Sequence, residues 1–158
     1  MRPPDTAQSA PCDLRCAILS GDRQSFGSSL RMTYPNAGTT SPYRRVLVVE
    51  DEVLLRSVVA RNLTSRGVLV SEAGTAAEAV RAATLDRPDL LLLDINLPDQ
   101  TGWDVLRELK RRGTEVPTII VSAVRVGQNR LDEFQPLAYL PKPFPIDALL
   151  RLVFNGRR

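Results

Sequence analysis

The sequence predicts an α/β fold, a parallel sheet covered by helices on both faces, and three observations carry that expectation. From Arg45 onward, short apolar runs of strand length alternate with segments of helical spacing through five strand–helix units. One run, Leu90-Leu91-Leu92-Leu93, is apolar without alternation, as a strand buried on both faces must be. It ends in Asp94 and then Asn96, Pro98, Asp99 and Gly102, which are turn residues. A carboxylate there sits at the carboxyl end of a central strand, the edge where open α/β sheets place their ligands.

In chain order, residues 1–43 are rich in Pro, Ser, Thr, Gly, Asn and Asp and hold no sustained period. This front end reads as a disordered extension. An alternative start at Met32 leaves only a short lead, and the two readings stay open. Val46-Leu47-Val48-Val49 reads as the first strand, ending in Glu50-Asp51-Glu52. Residues 53–66 carry Leu55, Val58, Val59 and Leu63 at helical spacing and stop at Gly67. Val68-Leu69-Val70 is a second strand, and Thr75 with Glu78 forms a capping-box pattern before an alanine-rich helix that runs to Asp86.

After the central strand, Trp103, Val105, Leu106 and Leu109 mark a third helix closed by Gly113. Residues 116–121 form a fourth strand ending in Ser122, and 124–134 a short, weakly patterned helix closed by Gln135-Pro136. Ala138-Tyr139-Leu140 leads into Pro141-Lys142-Pro143, and Pro145 opens a last helix through Phe154. No internal repeat is present.

Composition excludes several functions. Histidine is absent, so no Ser-His-Asp or Cys-His system, His-ligated metal or phosphohistidine carrier can be assembled from this chain. Cys12 and Cys16, without further Cys or His, make neither a closed zinc site nor a disulfide framework. The net charge of +3 falls mainly on the front end, and no basic stripe interleaved with aromatics follows, so no nucleic-acid partner is expected. No apolar run suits a membrane span or a secretory signal, and the expected location is the cytoplasm.

The strand ends bring Glu50 and Asp51, Asp94, Ser122 and Lys142 to one edge of a parallel sheet. Two carboxylates about 4.5 Å apart repel by roughly 3 to 4 kcal/mol at an effective dielectric of 20, a cost that a divalent cation removes. Mg2+ suits the set, because it takes hard oxygen ligands from one or two carboxylates and keeps positions for water and phosphate. Asp94 is then a candidate nucleophile toward phosphorus. Lys142 and Ser122 are candidates for the equatorial oxygens of the transferring group. Singly, each residue reads equally well as a helix cap, a turn or a solvated lysine; their joint occurrence at successive strand ends is the signal.

The succession Val-Val-Glu-Asp-Glu, Leu-Leu-Asp-Ile-Asn-Leu-Pro-Asp-Gln-Thr-Gly, Val-Ser-Ala and Leu-Pro-Lys-Pro-Phe resembles the receiver domain of two-component response regulators, over residues 44–156. The resemblance implies a flavodoxin-like, doubly wound sheet with strand order 2-1-3-4-5, in a receiver unit covering residues 44–158. It implies that Asp94 is the phosphoacceptor, served by a phosphohistidine on a sensor histidine kinase or phosphotransfer protein. It further implies Mg2+ held by Asp51, Asp94 and the backbone carbonyl of Asn96, with Glu50 acting through water. Ser122 and Lys142 match the pair that binds the phosphoryl oxygens, Tyr139 the aromatic switch position, and Pro143 the family's cis proline. Val53, Leu54 and Arg56, on the first helix near the site mouth, match a donor-docking face by analogy with the family, or equally are core and solvent positions.

The expected function is that of a stand-alone, chemotaxis-regulator-like receiver, a signalling domain and not an enzyme. It would act on a downstream protein through a conformational change or by onward relay. Three departures from the family pattern stand out. Glu50 occupies a position where aspartate is commoner, Pro136 replaces a small-residue turn before the last strand, and Val124 is aliphatic where a residue could orient an attacking water. The competing reading is a receiver that is not phosphorylated and serves as a constitutive interaction module. An aspartate-nucleophile phosphohydrolase is disfavoured, because Asn96 stands where such an enzyme places a second aspartate.

Overall fold

The computed structural model describes residues 41–155. Expectations for residues 1–40, including the start at Met32 and the thiols of Cys12 and Cys16, lie outside the described residues. Ten elements alternate in order: β1 (Arg45–Val49), α1 (Val53–Thr64), β2 (Leu69–Ala73), α2 (Ala76–Asp86), β3 (Leu90–Asp94), α3 (Gly102–Arg111), β4 (Thr118–Ser122), α4 (Gln128–Phe134), β5 (Ala138–Pro141) and α5 (Ile146–Asn155). All four strand pairings are parallel and the order is β2-β1-β3-β4-β5, the order expected. The order reverses between β1 and β3, so their carboxyl ends open the crevice where such sheets bind ligands.

Strand periodicity divides the core into two layers. Leu47, Val49, Leu91, Leu93 and Ile120 face α2 and α3, where Ala76, Ala79, Ala83, Val105 and Leu109 cover them. Val46, Val48, Leu90, Leu92, Ile119 and Val121 face α1 and α5 and meet Val59, Leu63, Leu149, Leu150 and Val153. β3 and β4 are buried at every position, which is why their sequences show no alternation. Each fully buried leucine in these strands contributes about 1.5–3 kcal/mol of transfer free energy.

Element ends depart from the sequence expectation for local reasons. β4 begins at Thr118 because Pro117 has no N–H to give the ladder, although its carbonyl still accepts from Leu91 N–H at 2.9 Å. β2 runs on through Ser71, Glu72 and Ala73, its register with β1 holding to Val49. α1 stops at Thr64 and its chain turns through Gly67 at φ +84, a conformation that favours glycine.

The capping box expected at Thr75 is half made. Thr75 Oγ1 accepts from Glu78 N–H at 3.1 Å, but the Glu78 carboxylate passes Thr75 and accepts from Gly74 N–H at 2.8 Å. The complete box stands at α3, between Thr101 and Asp104. α4 begins at Gln128, later than expected, behind Gly127, which has no side chain to cap with. This helix has seven residues and none is buried. It rests on the fold through Phe134, whose ring stacks on Trp103 at a centroid distance of 5.1 Å.

Candidate functional site

The carboxyl ends of β1 and β3 bring three acidic side chains together. Glu50, Asp51 and Asp94 each offer an oxygen, and these atoms lie within 4.8 Å of one another. Glu50 and Asp94 are buried, whereas Asp51 is exposed at the mouth. Two buried carboxylates in one crevice demand positive charge, and Lys142 from the end of β5 supplies it. Its Nζ stands 2.5 Å from Asp94 Oδ2 and 2.6 Å from Glu50 Oε2, with 16% of the side chain exposed.

The electrostatics follow from this arrangement. Burial pushes the Glu50 carboxyl above its ordinary value, and the hydrogen bond and charge of Lys142 hold that rise back. Burial alone would lower the Lys142 pKa, but the hydrogen bonds and charges of Asp94 and Glu50 outweigh it and raise the ammonium above the usual lysine value. Asp94 Oδ1 accepts from Asn96 N–H at 2.9 Å, which turns the chain sharply after β3.

That turn depends on Gly102. A Cβ at this position would stand 2.5 Å from the Asp94 carbonyl oxygen and 3.0 Å from Ile95 Cα, so only glycine lets α3 start against the end of β3. Gly102 N–H bonds the Ile95 carbonyl at 2.9 Å. Asp99, in the same loop, accepts from Ala76 and Ala77 N–H at 2.8 and 3.0 Å, capping α2 from across the sheet edge. Those bonds hold its carboxyl below the usual aspartate range. The sequence reading assigned Asp99 only to a turn, because no local pattern reveals a cap between segments distant in the chain.

Ser122 is fully buried and its Oγ accepts from Val124 N–H at 3.1 Å. The Tyr139 hydroxyl donates to the carbonyl of the same Val124 at 3.1 Å. The two expected switch residues therefore hold one residue of the β4–α4 loop from both sides. The Lys142–Pro143 peptide is cis. Of the expected docking face, Val53 and Leu54 are exposed, whereas the Arg56 guanidinium is turned onto the Glu50 carbonyl at 2.6 Å.

The donor set fits a hard divalent cation. It is all oxygen, it includes two buried carboxylates, and an ammonium already occupies part of the region where positive charge is needed. The same sheet edge carries a buried carboxylate with a cation beside it and, at the end of β4, a buried hydroxyl, the kinds of group that phosphoryl transfer to a side chain uses. Among the described residues no helix is long and apolar enough to cross a membrane.

Comparison with known proteins agrees with this geometry. The model of the response regulator receiver domain family matches residues 46–154. Response regulator MprA of Mycobacterium ulcerans is 35% identical over 108 residues, 67% of this chain and 47% of that protein. The probable transcriptional regulatory protein TcrX of Mycobacterium tuberculosis is 36% identical over 110 residues, 68% of this chain and 47% of that protein. The chain thus spans about half the length of these curated relatives.

Among solved structures, the signal receiver domain of a putative Luxo repressor protein from Vibrio parahaemolyticus superposes with a TM-score of 0.65 at 27% identity, covering 70% of this chain and 86% of that one. Response regulator protein TrrA from Thermotoga maritima, solved in complex with Mg(2+)-BeF, gives a TM-score of 0.62 at 27% identity, covering 70% and 96%.

Proposed function

The chain belongs to the response regulator receiver family, and from that premise we propose that Asp94 accepts a phosphoryl group from a phosphohistidine on a sensor histidine kinase or phosphotransfer protein. Receivers of this family are signalling domains and not enzymes in the ordinary sense. The observation that carries the proposal is Lys142 Nζ lying between the two buried carboxylates of Asp94 and Glu50, where a single ammonium leaves part of the negative charge of Glu50, Asp51 and Asp94 uncompensated.

In the proposed reaction a carboxylate oxygen of Asp94 attacks phosphorus. The P–N bond breaks, its electron pair returns to the imidazole nitrogen of the donor, and an acyl phosphate remains on Asp94. Asp51, Asp94 and the backbone carbonyl of Asn96 would hold Mg2+, with Glu50 reaching it through water. Bound there, the ion withdraws charge from the phosphoryl oxygens. Lys142 turns its ammonium from Asp94 to one of those oxygens, and Asn96 N–H keeps the aspartate oriented.

Ser122 completes the reading. If the Ser122 side chain rotates toward a phosphoryl oxygen to donate its hydroxyl, it leaves the Val124 N–H, and the loop that Tyr139 holds by the Val124 carbonyl then moves with that ring. The phosphoryl group biases an equilibrium between two arrangements of the α4–β5 surface, by as much as it binds one better than the other. We assign the receiver unit to residues 44–158, acting in the cytoplasm on a downstream protein partner through that surface or relaying the phosphoryl group onward.

Intact-protein mass after incubation with acetyl phosphate and MgCl2 tests this. A gain of one phosphoryl mass, lost in Asp94→Ala and without magnesium, is expected. No adduct from acetyl phosphate or from phosphorylated donor proteins, with no response to beryllofluoride, would overturn it in favour of a constitutive interaction module.

A further inference from the structure

In a strand, adjacent side chains point to opposite faces. Glu50 and Asp51 are adjacent, yet their carboxylate oxygens lie within 4.8 Å of each other and of Asp94. The backbone must therefore leave strand geometry between them, and the carbonyls that turn away from the ladder need donors. Arg56, on α1, meets both. Its Nη1 lies 2.6 Å from the Glu50 carbonyl oxygen and 3.5 Å from that of Asp51.

Two further contacts fix the guanidinium itself. Its Nε lies 3.3 Å from Glu72 Oε2 on β2, and its side chain is only 18% exposed. Behind it, a Cβ on Gly74 would stand 3.1 Å from Nη1, so the β2–α2 turn packs closely against the guanidinium. One planar group thus ties the β1–α1 turn to β2. Arginine suits this task because its donors form a rigid fork, whereas a lysine offers a single point on a flexible stem.

We propose that Arg56 is a positioning residue for the metal site, holding the β1–α1 turn so that the Glu50 and Asp51 carboxylates favour Mg2+ over larger cations. The inference rests on the reading of Glu50, Asp51 and Asp94 as a magnesium site. Mg2+ demands near-octahedral geometry at short distances, whereas Ca2+ accepts longer and more varied ones. A turn that is held still is a condition for the first and of little consequence for the second. Partners that orient ligands commonly affect metal affinity on the order of 10-fold when removed.

The test is thermal unfolding of the full chain in series of MgCl2 and of CaCl2, for wild type, Arg56→Ala, Arg56→Lys, Glu72→Gln and Asp51→Asn. The midpoint without metal reports folding, and its rise with metal concentration reports the dissociation constant. Arg56→Ala is expected to weaken Mg2+ on the order of 10-fold and Ca2+ by less than about 3-fold. Arg56→Lys and Glu72→Gln should lower the preference in the same direction by less, and they carry the test if Arg56→Ala does not fold. A preference for Mg2+ over Ca2+ unchanged in these variants, whatever their metal-free midpoints, overturns the inference. A wild type that responds to Mg2+ no differently from Asp51→Asn overturns instead the reading of the site.

Discussion

Replacing Lys142 with methionine keeps the aliphatic stem and removes the one charge that stands between Glu50 and Asp94. Both carboxylates keep their place, with 6% and 5% of their side chains exposed, and their oxygens lie within 4.8 Å of each other. At that separation the uncompensated pair repels by about 3 to 4 kcal/mol at an effective dielectric of 20. This agrees with the 3–5 kcal/mol typical of stripping one partner from a buried ion pair.

The loss has a pH dependence with a definite sign. The Glu50 carboxyl is already raised by burial, and Lys142 is the main group holding that rise back. In Lys142→Met the folded protein binds the Glu50 proton more tightly still. The penalty is therefore smallest below the ordinary glutamate value of 4.5 and grows as pH rises through the raised folded value.

Urea unfolding in EDTA at about pH 7.5 should show a stability loss near 3 kcal/mol, shrinking at about pH 5. MgCl2 should recover most of the difference, because the ion takes the place of the ammonium without competing with it. A loss under about 1 kcal/mol in EDTA, or one indifferent to both pH and magnesium, would refute the charge-balance account.

Three further outcomes follow from the same geometry. Gly102→Ala drives a methyl group into the Asp94 carbonyl, at a cost of about 1–3 kcal/mol in urea unfolding, and a variant as stable as wild type would show that the β3–α3 junction is slack. Asp99→Ala removes the cap on α2 and lowers the urea midpoint at neutral pH. Because the folded carboxyl lies below the ordinary 3.8, the difference from wild type persists down to that pH and fades only as pH falls further, so a difference unchanged well below it would count against the cap. Val124 offers no group to orient a water, so the acyl phosphate on Asp94 should decay slowly with Mg2+ present; a half-life of only seconds, followed by intact mass, would contradict this.

The ends of β1, β3 and β4 are legible because burial on both faces forces unbroken apolar runs, which lead into Glu50, Asp94 and Ser122, whereas Lys142, after the half-buried edge strand β5, is marked only by the prolines around it. Parallel topology then brings them together without any further information. What escaped was set by contacts between segments far apart in the chain. The sequence leaves Arg56 open between a docking face and a core or solvent position, and its partners, two carbonyls and a glutamate on another strand, carry no local signal. Thr75 and Glu78 have the spacing of a capping box, yet Glu78 bonds Gly74, and α2 takes its remaining cap from Asp99. The pattern from Val124 puts the start of α4 too early, because nothing buried marks its first turn at Gln128.

Trp103 is the single tryptophan of the chain. Its neighbour Gly102 touches the backbone of Asp94, and its own indole is stacked on Phe134, the last residue of α4. Every photon emitted by tryptophan in this protein therefore comes from the seam between the acidic site and the least anchored helix. The fluorescence of the unlabelled protein is a gauge of whether α4 is seated. Its intensity, followed while beryllofluoride and Mg2+ are added, would resolve in time what a mass measurement can only count.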